Sequence, residues 1–235
     1  MTCEHAGRAV PTSLGDLGID RAELDRHIAW DIGAAELALS LSRRLDAPLV
    51  LQRYTRLAID CNRPLDAPDV IPAFSDGTEI PVNAELSDRH RDARYREIHQ
   101  PFHDAVIETL ERKGAAGISP VLVSVHSFTP VLAGVARAWD LGLLYNRDDR
   151  LARLFHDILD RREEGVNFAH NEPYSVSDGT DYTIPVHGEG RGLMHLLLEV
   201  RNDHLTAAAG QRSWATTLAA VLAEIEALLA DEEGV

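Results

Sequence analysis

Short apolar runs alternate along this chain with longer segments in which apolar positions recur every three or four residues. DIGAAELALSLSRRLD (31–46) sets Leu37, Leu41 and Leu45 four apart, which predicts a helix with Asp31 in its first turn. RLAIDC (56–61) is an apolar run closed by Asn62-Arg63-Pro64, and it reads as a buried strand because a proline cannot continue a central ladder. SDRHRDARYREIHQPFHDAVIETLERKG (87–114) reads as helix, kinked or split by Pro101 and ended by Gly114. VLVSVH (121–126) is a second strand, ending on His126, and HLLLEV (195–200) is a third. Between them DDRLARLFHDILDRR (148–162) gathers Leu151, Leu154, Phe155, Ile158 and Leu159 on one helical face. The last helix carries a stripe of Trp214, Leu218, Val221, Leu222, Ile225 and Leu229.

Short apolar strands separated by long amphipathic helices require crossover connections. They predict a three-layer α/β domain, with helices on both faces of a mostly parallel, mixed sheet. No linker or repeat interrupts the pattern, so residues 1–235 read as one domain. In such sheets ligands bind outside the carboxyl ends of the strands, where IDCNRP and VSVHSFTP both place polar residues.

Charge narrows the partners. Lys and Arg number 23 against 38 Asp and Glu, a formal charge of −15, which repels nucleic-acid backbones and anionic membrane surfaces. The uninterrupted apolar stretches fall short of the roughly 20 residues that span a bilayer, and no basic-then-apolar segment opens the chain. A cytoplasmic protein is expected, with no membrane or nucleic-acid partner. Cys3 and Cys61 are too few for a disulfide scaffold.

The chain has no GxSxG elbow, no glycine-rich phosphate loop and no HExxH. What it has is a dispersed set of polar residues near element ends: His5, Asp31, Asn62, Arg63, His126, Tyr174, Arg191 and Glu199. A zinc hydrolase needs imidazoles and a carboxylate as ligands, an open position, a further carboxylate to take a proton from water, and a cation for an acidic substrate. This set can supply each part. Each residue also has an ordinary explanation. His126 could be a hydrogen-bonded core histidine, Asp31 favours a helix start through the helix dipole, Arg63 could pair with Asp60 or Asp66, and Glu199 could be buried against Arg201 or Arg191. A carboxylate in an apolar strand nevertheless costs several kcal/mol unless paired, which singles out Glu199.

The strings CEHAGRAVP, HIAWDIGA, IDCNRP, SDGTEIP, VSVHSFTP, NEPYS, YTIPVHGEGRGLMH and LEVRND, in that order, resemble the N-formylglutamate amidohydrolase family over nearly the whole chain. A more distant likeness to zinc carboxypeptidases lies in Asn62-Arg63, in His126-Ser127-Phe128 and in Glu199-Val200-Arg201. The likeness implies a zinc-exopeptidase-like fold and one zinc per chain. His126 would be a ligand, Asn62 and Arg63 a grip on the substrate's carboxylate, and Glu199 the general base. Two departures are visible. Zinc carboxypeptidases use an HxxE pair, but Arg8 stands three residues after His5, so the carboxylate ligand beside His5 and His126 is Asp31 or, alternatively, Glu4. The strand that usually leads into the Glu-His-Ala turn is reduced to Met1, Thr2 and Cys3, which could leave the edge beside His5 incomplete.

Arg191 and Tyr174 are candidate substrate contacts, and Asn171, His187 and His195 lie in the same glycine- and proline-punctuated stretches. The expected activity is zinc-dependent hydrolysis of a formyl or small acyl amide on an acidic amino acid such as N-formylglutamate, yielding formate and the amino acid. The alternatives are another N-acyl or peptide-like substrate, or a metal-free binding module on the same fold.

Overall fold

Six strands form the central sheet: β1 (Thr2–Cys3), β2 (Val50–Leu51), β3 (Leu122–Phe128), β4 (Leu141–Leu144), β5 (Phe168–His170) and β6 (His195–Arg201), in the order β2-β1-β3-β6-β4-β5. This is seen in a computed structural model that describes residues 1–162 and 165–233. Strand β1 pairs in parallel with both β2 and β3, and β3 with β6; β4 runs antiparallel to β6 and parallel to β5. The sheet is therefore mixed, with its parallel half carrying the central pair β3 and β6, each of 7 residues.

Alternation along β3 and β6 divides their side chains between two layers. Val123, Val125, Leu196, Leu198 and Val200 enter a core shared with α1 (Ala34–Leu45), through Leu37 and Leu41. The same core takes Phe155 and Ile158 from a helix at Arg150–Arg161 and Leu218, Val221 and Ile225 from one at Ala208–Glu233. By length and hydropathy Ala208–Asp231 could cross a bilayer, yet its predicted stripe is part of this core. The opposite face presents Ser124, His126, Leu197 and Glu199. It is covered by the turn Thr183–Gly188 and by the loops that pack Ala58, Ile59 and Cys61 against Phe102 and Val106. Those two belong to a helix at Gln100–Ala115.

In chain order the α-helices longer than one turn are, among the described residues, α1, α2 (Asp88–Arg94), α3 (Gln100–Ala115), α4 (Arg150–Arg161) and α5 (Ala208–Glu233). Pro101 interrupts the ladder without breaking the helix: the backbone stays helical through Tyr95, His99 and Gln100, and Tyr95–His99 form a π-helical turn between α2 and α3 just ahead of the missing Pro101 N–H.

Three expectations are corrected. Residues 57–61 are buried as predicted and Arg56 half-buried, but the segment forms turns, not a strand. Thr55 directs this: its hydroxyl accepts from the Leu57 amide and donates to the Ala29 carbonyl, while the Arg56 amide also bonds Ala29 and the Asp60 amide bonds Val70. Asp31 lies ahead of α1, whose cap is Gly33 at φ +79; an added Cβ there would meet the Leu205 Cβ at 2.4 Å, so glycine alone fits. His126 is not the last strand residue, since β3 continues to Phe128. Short β4 and β5 escaped the sequence reading because neither run is long enough to show a period.

Candidate metal centre and active-site cavity

Although β1 is only two residues long, it pairs on both sides and delivers Glu4 and His5 beside β3. The backbone then closes the site. The Asp31 amide donates to the His5 carbonyl at 2.9 Å, which brings the loop before α1 onto the turn after β1. Asp60 caps its own turn by accepting from the Asn62 amide at 2.8 Å.

These constraints converge His5, Asp31 and His126, all buried, so that one ligand atom from each lies within 4.8 Å of the others. Asp31 Oδ2 stands 3.3 Å from His5 Nδ1 and 2.8 Å from His126 Nδ1. The far edge of each ring is held by a carboxylate. His5 Nε2 is 2.6 Å from Asp60 Oδ1, and His126 Nε2 is 2.9 Å from both Glu4 Oε2 and Ser124 Oγ, with the Ser124 hydroxyl donating to Glu4 at 2.7 Å.

A carboxylate only accepts, so Asp60 and Glu4 assign the protons to the Nε2 atoms and leave both Nδ1 lone pairs aimed at Asp31. Two lone pairs and a carboxylate oxygen repel unless positive charge, a second proton on one ring or a metal ion, lies among them. The arrangement is that of imidazoles oriented by outer carboxylates for a metal, and the residues fit a zinc-type ion. Glu4 serves the outer edge of His126 and is not among the converging three.

The same need for positive charge appears in the titration of these groups. Burial lowers the His126 pKa, but hydrogen bonds to Asp31 and Glu4 outweigh it and hold the imidazole well above its ordinary value. Burial raises Asp31, and the charges and hydrogen bonds of His5 and His126 bring it below the usual carboxylate range. Asp60 is likewise depressed: against burial act Arg56 and then His5. Arg56 donates to Asp60 Oδ2 at 2.6 Å from Nη2 and reaches Asp31 Oδ1 at 3.5 Å from Nη1.

Glu199 behaves differently. It is 7% exposed, sits level with His126 in the β3–β6 register, and its Oε2 has no hydrogen-bond partner among the described residues. Arg201, one of its suspected partners, is paired instead with Asp140 and Asp203. Burial pushes the Glu199 carboxyl up to about 7, with His126 opposing and Asp31 adding to the rise.

His5, Asp31, His126, Glu199, Asn62, Arg63 and Tyr174 all line one cavity of about 290 Å³, together with Arg56. Its lining includes Phe128 and Thr129 at the carboxyl end of β3. Within it Asn62 is heavily committed: its Oδ1 accepts from the Tyr182 and Thr183 amides at 3.2 and 3.1 Å, and Nδ2 donates to Asp181 at 3.1 Å. Arg63 donates to the Thr180 carbonyl and to Asp69, not to Asp60 or Asp66. Tyr174 is 43% exposed at the rim.

The sequence profile of N-formylglutamate amidohydrolase matches residues 1–206. The chain belongs to the N-formylglutamate amidohydrolase family. It is an amidohydrolase by that membership. Among solved structures it is similar to a gene product of Agrobacterium tumefaciens at 37% identity and a TM-score of 0.90, over 96% of this chain and 90% of that one. It is similar in fold to an N-formylglutamate amidohydrolase from Ralstonia eutropha at 21% identity and a TM-score of 0.65, over 100% and 94% of the two chains. No curated protein matches it.

Of the candidates in this N-formylglutamate amidohydrolase-family chain, Arg191 falls outside the cavity: it is exposed at the end of the turn Glu189–Arg191. Asn171, His187 and His195 also stand away from the lining. Asn171 accepts from the Tyr145 amide, His187 bonds His103 at 2.9 Å, and His195 bonds the Leu193 carbonyl. Sequence reasoning missed Arg56, Asp60 and Ser124. Asp60 carried the signal that picked out Glu199, a carboxylate inside an apolar run, but the run was read as a strand and the aspartate only as a possible partner for Arg63.

Proposed function

We propose that this chain is a zinc-dependent hydrolase of the N-formyl, or small N-acyl, amide of an acidic amino acid such as N-formylglutamate, releasing formate and the amino acid. The observation that carries the reading is Glu199: a buried carboxylate with an unpartnered oxygen, in the same cavity as the convergent His5, Asp31 and His126. His5 Nδ1, Asp31 Oδ2 and His126 Nδ1 would hold one zinc ion. When bound, such an ion lowers the pKa of a coordinated water toward about 7 and polarises the amide carbonyl.

Glu199 accepts a proton from the attacking water and passes it to the leaving nitrogen. Its raised pKa suits both halves of that cycle, since a group titrating near the working pH is an adequate base and an adequate acid. Arg56 lines the cavity with Nε and Nη2 on Asp60, and its long Nη1 contact leaves a donor for the carbonyl oxygen as charge builds there. Arg63 grips the substrate's α-carboxylate, and Asn62 fixes the 180–183 segment that shapes the same wall. Two buried free cysteines and a charge of −15 fit a cytoplasmic enzyme acting on a small molecule.

The test is metal content together with formate release. Protein supplemented with zinc should hold about one ion per chain and release formate from N-formylglutamate in a panel of N-formyl and N-acetyl amino acids. A chain that binds no zinc and hydrolyses none of the panel would overturn the reading in favour of a binding module.

A further inference from the structure

Beyond β3 the chain makes a hairpin, Val131–Leu132 against Val135–Ala136, turned by Ala133 and Gly134 at φ +49 and +78. Both central residues at positive φ give the tight mirror-image turn that matches strand twist. The Arg137 amide bonds the Pro130 carbonyl at 2.8 Å and continues the ladder, so the residue that leaves the hairpin has a fixed direction. Its guanidinium lies 4.6 Å from the centre of the Tyr174 ring and 5.8 Å from that of Phe128, and both rings line the cavity.

Arg56 and Arg63 line this cavity and Arg137 stands behind two of its rings, and the three differ in their commitments. Arg56 is paired with Asp60 and Asp31, and Arg63 with Asp69. No carboxylate among the described residues lies within ion-pair distance of Arg137, whose guanidinium makes a 3.4 Å contact to the Thr129 carbonyl and a hydrogen bond to the Tyr174 side chain. A half-buried guanidinium stacked on two rings has a pre-set planar fork whose donors are largely unused. A ligand carboxylate can meet that fork without competing with an internal carboxylate, whereas Arg56 and Arg63 each already carry one.

We propose that Arg137 is the specificity-determining residue of this cavity and binds the second, side-chain carboxylate of the substrate at the Phe128–Tyr174 rim. This rests on the reading given above, in which Arg63 takes the α-carboxylate, and it accounts for the choice of an acidic over a neutral amino acid. Arg137 touches the substrate's distal end and takes no part in bond making.

Equilibrium binding separates this from the hydrolytic reading. Calorimetric titration of zinc-supplemented protein with L-glutamate and with L-glutamine, which differ in that one group, should show glutamate preferred by roughly 10- to 100-fold, the worth of a charge-assisted hydrogen bond. In Arg137→Gln the ratio should collapse toward one, and Arg137→Lys, which keeps charge but not the fork, should recover part of it. Absence of glutamate binding or of the preference in the wild type overturns the inference. So does a preference that survives in Arg137→Gln, or affinities for both ligands that fall together, the mark of a residue that only supports the hairpin. A wild type that shows the Arg137-dependent preference but releases no formate from N-formylglutamate overturns the hydrolytic reading and leaves this inference standing.

Discussion

His5 and His126 turn their Nδ1 atoms to the same oxygen of Asp31, at 3.3 and 2.8 Å, while each Nε2 is held by a separate carboxylate, Asp60 for one ring and Glu4 for the other. The ring orientation is thus set by groups outside the converging three. Asp60→Asn keeps the shape and removes the charge, so zinc affinity should fall by roughly 10- to 100-fold, the usual effect of losing such an outer partner. Competition with a chromophoric chelator measures it. An unchanged affinity would mean that Asp60 serves Arg56 alone.

Arg63→Ala should cut kcat/KM on N-formylglutamate far more than on the analogue whose α-carboxylate is an amide. The comparison matters because Arg63 also anchors the Thr180 carbonyl and Asp69. Equal losses on both substrates would make its role structural.

Behind the cavity His103 donates from Nε2 to the Cys61 carbonyl, so its Nδ1 accepts from His187 Nε2. Burial, reinforced by neighbouring histidines, lowers His103 to about 3; burial, then Arg191, lowers His187 to about 4. Both folded-state values are depressed below the ordinary imidazole value, so the unfolded chain takes up protons that the folded chain refuses. Their contribution is fully present above about pH 6.5 and is lost as pH falls toward the folded-state values. The urea midpoint of the wild type should drop between pH 7 and 4.5 more steeply than that of His187→Asn. Parallel curves would show that this pair does not set acid stability.

Much of this was legible in the sequence, for identifiable reasons. The helices α1, α4 and α5 follow from stripes such as Leu37-Leu41-Leu45 and Leu218-Val221-Leu222-Ile225, which are long enough to show a period. The residues 56–61 were misread because apolar content reports burial, not backbone geometry, and the hydrogen bonds that fold them into turns come from Thr55 and Ala29. His5, Asp31, His126 and Glu199 could be singled out as chemical types in unusual places. That Asp31 joins the two histidines while Glu4 turns to Ser124 depends on the Asp31–His5 backbone bond, a contact between residues 26 apart that no local pattern announces.

The most direct test of the account is turnover and zinc content of Glu199→Gln. The substitution keeps volume and hydrogen-bonding shape and removes the base. Because Glu199 is assigned to proton transfer and not to ligation, the variant should fold, bind zinc at the wild-type stoichiometry, and lose roughly 10²- to 10⁴-fold in kcat on N-formylglutamate. A folded, zinc-loaded Glu199→Gln enzyme turning over at close to the wild-type rate would contradict it.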